Sequence, residues 1–205
     1  NGFFLNSYSM KNIGSFLIIG CMALLSACSG GGKKVLIMSS GKVQLNGNTI
    51  TLQSGSTHTE TTLVPSGDNI SVVSESGTTD FTVKEPGLYI LNLKKDTLVG
   101  SYQRTGTDQS QAVITQEDLA GRIDSLTLLM QGANVNEASR NYHIPPFQLS
   151  RITNNLEAQI VGPYLKMPGS FDPSREHEVY KFYTNKEMGE IVEKLKPMIS
   201  DKPKQ

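Results

Sequence analysis

Between Lys34 and Arg104 the chain is cut into short runs of alternating apolar and polar residues, and turn-forming residues separate them. Alternation with period two places one face of each run against a core and the other toward water, which is the pattern of half-buried β-strands. Candidate strands are Val35–Met38, Lys42–Leu45, Thr49–Gln53, Thr59–Val64, Ile70–Glu75, Thr79–Lys84, Leu88–Leu93 and Thr97–Gln103. Asn46-Gly47 predicts a tight hairpin, because both residue types tolerate positive φ. Pro65-Ser66-Gly67-Asp68, Ser76-Gly77 and Pro86-Gly87 punctuate the rest. About eight short strands at this spacing predict a small antiparallel β-sandwich or barrel over residues 35–104, with Val83, Leu88, Ile90 and Leu98 facing inward.

The pattern changes after a polar, turn-rich linker at residues 105–114. Thr115-Gln116-Glu117-Asp118 resembles a capping box, with Asp in place of the preferred Glu or Gln. Leu119, Ile123, Leu126 and Met130 follow at helical spacing, and Gly132 supplies the stop. Residues 136–142 read as one short helix before Ile144-Pro145-Pro146, where helix is forbidden. Leu149–Thr153, Gln159–Val161 and Val179–Tyr183 read as strands. Thr184-Asn185-Lys186-Glu187 is a cleaner capping box, opening a helix with Met188, Ile191, Val192 and Leu195 on one face. Residues 115–199 are therefore expected to form a small α+β domain, and residues 200–205 a charged tail. The fold class expected overall is α+β.

Ahead of these regions lies an uncharged apolar run from Ile13 to Leu25, preceded by Lys11. As a helix it would rise roughly 20 Å, short of the ~30 Å hydrocarbon core of a bilayer. It reads as the core of a signal peptide spanning residues 1–27. Met10 reads as the natural start, with residues 1–9 an extension upstream of it. The run ends in Leu25-Ser26-Ala27-Cys28, which resembles the lipobox of bacterial lipoproteins. The resemblance implies cleavage before Cys28, a diacylglycerol thioether on its sulfur and acylation of the new amino group. Two or three chains, at ~0.8 kcal/mol per buried methylene, anchor a protein firmly where one does not. Residues 28–34, with Gly30-Gly31-Gly32 and Lys33-Lys34, read as the lipidated tether. Ser29 stands where an Asp would resemble an inner-membrane retention signal, and no acidic cluster follows Cys28. The expected address is the outer membrane, facing the periplasm.

Charge and cysteine content narrow the partners. Nineteen basic side chains balance nineteen acidic ones, and losing Lys11 with the signal leaves the balance within one charge of neutral. Such a chain has no broad attraction for nucleic acid or for an anionic membrane surface, so the lipid must hold it to its membrane. Of the two cysteines, Cys21 leaves with the signal and Cys28 takes the lipid. Thiol catalysis and disulfides in the mature chain are excluded on that reading.

Candidate chemistry is sparse. The histidines are His58, His143 and His177. Glu176-His177-Glu178 gathers three titratable groups, but on a strand only Glu176 and Glu178 share a face. With no further histidine at helical or hairpin spacing, no metal site is expected. The chain contains no Gly-x-Ser-x-Gly, His-Glu-x-x-His or phosphate-binding glycine loop, and no catalytic residue or cofactor is assigned. Asp96-Thr97-Leu98 and Asp124-Ser125-Leu126 resemble the sequence at which Bacteroidota attach glycans to exported proteins, which implies O-linked sugar on Thr97 and Ser125. The functional expectation is a non-enzymatic envelope lipoprotein that binds a protein or glycan partner or serves in assembly. The alternative is an envelope hydrolase or metal-dependent enzyme built on His143, His177 and nearby carboxylates.

Overall fold

A computed structural model describes residues 32–103, 115–136, 138–162 and 177–200. All belong to the unit Gly32–Gln205; the other unit, Asn1–Gly31, lies outside the described residues and takes Cys28 with it. The chain is β-rich, and its described elements run β1 Lys33–Asn46, β2 Thr49–Leu63, β3 Asn69–Ser74, β4 Gly77–Thr82, β5 Gly87–Leu93, β6 Leu98–Gln103, α1 Gln116–Met130, β7 Asn141–Ile144, β8 Gln148–Thr153, β9 Gln159–Val161, β10 Val179–Thr184, α2 Asn185–Leu195 and α3 Pro197–Ser200.

Two sheets carry the fold. The first has the order β4-β3-β2-β1-β5-β8, and the second β7-β6-β10-β9. Both contain strands from either side of residues 105–114. β8 pairs with β5 in the first sheet, and β6 lies between β7 and β10 in the second. The expected division into a β domain at 35–104 and an α+β domain at 115–199 therefore does not correspond to two separate cores. Nor is the pairing purely antiparallel, since β1–β5, β2–β3 and β9–β10 run parallel.

The first four expected strands are two long ones. The gaps left between them, at residues 39–41 and 54–58, are a β-bulge, where the register jumps from Ser40↔His58 to Gly41↔Ser54. A straight strand the length of β2 would extend roughly 50 Å, at about 3.3 Å per residue. Instead the hairpin doubles over. Its tip residue Asn48 donates to the Ser66 and Asn69 carbonyls at 2.7 and 2.8 Å, beyond the far end of β2. Lys33, at the start of β1, forms an ion pair with Asp68 in the same loop. The bend needs Gly41, whose φ is 106° and where a Cβ would lie 2.0 Å from the Gln53 carbonyl oxygen. The tight loop itself is Gly47-Asn48, one residue later than expected, with Gly47 at φ 58°.

Three apolar layers follow. Inside the curled sheet lie Val35, Ile37, Ile50, Ile70, Val72, Val83 and Leu91, all fully buried. Its other face presents Met38, Leu88 and Ile90 to Leu98, Ile144, Tyr180 and Phe182 of the second sheet. Behind that sheet, Val99 and Tyr183 meet Leu129 of α1 and Met188 of α2. β5 is buried on both faces along its length, which explains its nearly continuous apolar sequence. The inward positions Val83, Leu88, Ile90 and Leu98 are buried as expected, though Val83 belongs to a different layer from the other three. At Gly100 the strands approach so closely that a Cβ would meet the Phe182 ring at 2.5 Å.

Both capping boxes form. Thr115 and Thr184 accept from the amides of Asp118 and Glu187, whose carboxylates accept from the cap amides in return. The short helix expected at 136–142 is replaced by a turn and β7, which pairs with β6. Arg140 takes φ 52°, a conformation incompatible with helix, and pairing to an available edge outweighs a weak local helical preference.

Candidate functional site

The turn that replaces that helix builds the most elaborate polar cluster of the described residues. Asn136 accepts from the Ser139 amide at 2.7 Å through its side chain and from the Arg140 amide at 3.1 Å through its carbonyl. The Arg140 carbonyl then accepts from the Tyr102 amide at 3.2 Å, so the turn is fastened to the end of β6. This sends the Arg140 side chain across β6, with its guanidinium carbon 3.8 Å from the centre of the Tyr102 ring and 5.1 Å from that of Tyr180. Such stacking is worth roughly 0.5–2 kcal/mol and holds the guanidinium plane in place.

Arg140 Nη2 donates to Glu178 Oε1 and to the Tyr180 hydroxyl. Glu178 stands just before β10, two residues from Tyr180 and on the same face, and it also accepts from the Tyr180 hydroxyl at 2.5 Å. The end of β8 and the turn after it supply two more donors: Thr153 Oγ1 to Glu178 Oε1 and Asn155 Nδ2 to Oε2, both at 2.9 Å. That turn is itself fixed by hydrogen bonds from the Asn155 amide to Thr153 Oγ1 and from the Glu157 amide to Asn155 Oδ1. Burial raises the Glu178 carboxyl, but hydrogen bonds from Tyr180, Asn155 and Thr153 and the charge of Arg140 outweigh it and hold it below the usual carboxylate range. Burial pushes the Tyr142 and Tyr180 phenols above their ordinary value. Tyr142 donates to the Ile152 carbonyl at 2.5 Å and meets Tyr180 edge to face at 5.7 Å.

Two cavities border this cluster. One of about 600 Å³ is walled by Tyr142, Tyr180, Ile152 and Val135, with Arg140, Arg151, Glu178 and several short polar side chains between them. A smaller one of about 240 Å³ lies against Tyr102, Arg140, Asn155 and Glu178. The larger falls within the range of small-molecule pockets, ~300–1,000 Å³.

The residues singled out from sequence fall elsewhere, apart from Glu178. His143 lies on the opposite face of β7 from Tyr142, with Nδ1 3.2 Å from the Leu129 carbonyl and its ring against Gly132. Neither His143 nor His177 lines either cavity. Glu176 lies outside the described residues, among which no three His, Cys, Asp or Glu groups converge. Ser125 is exposed in the middle of α1 and donates to the Gly121 carbonyl. Thr97 is half-buried, and its carbonyl accepts from the Asn185 amide at the start of α2.

His58 belongs to a second charged cluster. Lys94, only 6% exposed, places Nζ 3.0 Å from His58 Nδ1, and His58 Nε2 lies 2.7 Å from Glu60 Oε1. Burial pushes the Lys94 amine below its ordinary value, against the opposing influence of Glu187, Glu60 and Asp96. None of the three lines either cavity, and they serve as a buried polar tie between β2 and the end of β5.

Sequence reading missed Arg140, Tyr102, Tyr142, Arg151, Thr153 and Asn155. One signal was available: Glu178 stands one residue before the predicted strand Val179–Tyr183, and if the strand is extended back by that residue it shares a face with Tyr180. Nothing local marks Arg140, which reaches the site only through a left-handed turn. No protein-family model matches the chain, and neither a curated protein nor a solved structure matches it.

Proposed function

We propose that the chain is a bacterial envelope lipoprotein, anchored through lipid on Cys28 to the outer membrane and facing the periplasm, that works as a non-enzymatic binding module. Its α+β part presents the larger cavity to a glycan on a partner molecule. The observation that carries this reading is the state of Glu178. A carboxylate engaged by four donors and held ionised is a poor proton acceptor, so it suits rigid recognition better than general-base chemistry. Tyrosine faces beside short polar side chains suit a ligand with alternating apolar and hydroxylated surfaces. In the same proposal Ser125, being exposed, is the more accessible glycan acceptor, with Thr97 second.

Two measurements test it. A clickable fatty acid fed to cells should label the wild-type chain and leave Cys28→Ala unlabelled; equal labelling would refute the anchor. Binding is read from tyrosine emission, because the chain has seven tyrosines and no tryptophan. Soluble oligosaccharides should change the emission of wild type and leave that of Tyr142→Ala unchanged. Equal responses from both would place binding elsewhere.

A further inference from the structure

We infer that the ligand of the larger cavity is an acidic saccharide, its carboxylate held by the remaining N–H groups of Arg140 with Arg151 adding a second positive charge; this rests on the glycan-binding reading above. The reason is an imbalance between donors and acceptors. Arg140 spends Nη2 on Glu178 and Tyr180, while its Nε and Nη1 have no acceptor among the described residues. The side chain is 37% exposed, and stacking on Tyr102 fixes its plane, so these donors are already oriented. Arg151 spends Nε on the Pro86 carbonyl and Nη1 on Glu85, which leaves Nη2 without an acceptor among the described residues. Both arginines line the cavity.

The acceptor side is exhausted. Glu178 is the one carboxylate in the lining among the described residues, and both its oxygens already accept hydrogen bonds. A neutral sugar would leave charged donors facing its ring, whereas a carboxylate oxygen takes a charge-assisted hydrogen bond from a remaining Arg140 N–H, the stronger kind of hydrogen bond. The Tyr142 and Ile152 surface then meets the face of the sugar ring, and Asn141 and Ser150 stand where hydroxyls need partners.

The test uses the full chain in detergent, titrated with an oligogalacturonate, with a neutral oligosaccharide of the same length and with inorganic sulfate. The acidic sugar should bind about tenfold or more tightly than the neutral one at low salt, and added salt should narrow the gap. Arg151→Gln, which leaves every donor to Glu178 in place, should narrow it too, and Arg140→Gln should abolish it. If the two sugars bind equally, the acidic preference is overturned while the glycan reading stands. If neither binds, both readings fall. If sulfate alone binds as tightly as the acidic sugar, the cavity reads charge without the ring, and the saccharide assignment is overturned.

Discussion

Arg140 reaches Glu178 across the full width of β6, resting on the Tyr102 ring that β6 puts between them. The two residues come from opposite neighbours of one strand, and neither reaches the other through its own hairpin. Their pairing ties the β7 turn to β10 and settles the charge of the pocket wall. It also couples the site to pH.

Because the Glu178 carboxyl is held below its ordinary value in the folded chain, its ionised form adds stability above the unfolded value of 4.5, and this is lost as pH falls through the folded value. Glu178→Gln removes the titration. Urea midpoints at about pH 7 and about pH 3 should show wild type losing more stability than the variant. Parallel losses would show that Glu178 is not linked to folding.

Asn92 is fully buried on β5 and serves three backbone groups. Its amide donates to the Ile144 carbonyl at 2.8 Å and the Asp96 carbonyl at 2.9 Å, and its oxygen accepts from the Lys94 amide at 3.0 Å. Asn92→Leu keeps the branched shape but strands all three. A loss of about 3 kcal/mol is expected by chemical denaturation, from a penalty of about 1–3 kcal/mol per buried unsatisfied group. A loss below about 1 kcal/mol would mean that water reaches these groups.

Two glycines in one hairpin should respond differently. Gly41→Ala places a Cβ against the Gln53 carbonyl at the bend and should cost more than about 3 kcal/mol. Gly47→Ala meets no atom within 4 Å, and its φ of 58° should cost only about 1 kcal/mol. Comparable thermal shifts for the two variants would show that the hairpin does not depend on the bulge to double over.

Thr184 ends β10 and caps α2, accepting from the Glu187 amide at 3.2 Å. Thr184→Ala should lower stability by about 1 kcal/mol, and Thr184→Ser should recover most of it. If Ser recovers nothing, the buried methyl group matters more than the cap.

Local chemistry decided much of this fold in advance. Alternation placed most strands to within a residue or two, and the reciprocal Thr–carboxylate pairs placed the starts of both long helices, because these signals act between near neighbours. The Ser-Gly breaks in β1 and β2 were visible too, but a bulge and a turn use the same residues, and only the strand pairing distinguishes them. Likewise residues 136–142 had to choose between a marginal helix and a vacant sheet edge, and the edge belonged to a strand forty residues earlier.

What the sequence by itself determined is an outline: an apolar run followed by the lipobox-like Leu25-Ser26-Ala27-Cys28, a β-rich body and two capped helices, in a chain of balanced charge. What only the tertiary structure decided is the site. Tyr102, Arg140, Thr153, Asn155 and Glu178 come from four strand ends and turns spread over seventy-odd residues, and no periodicity links them. Hydrogen bonding and ring stacking act over a few ångströms of space, however many residues of chain lie between the partners. A constellation of that kind comes into existence only when the second sheet closes.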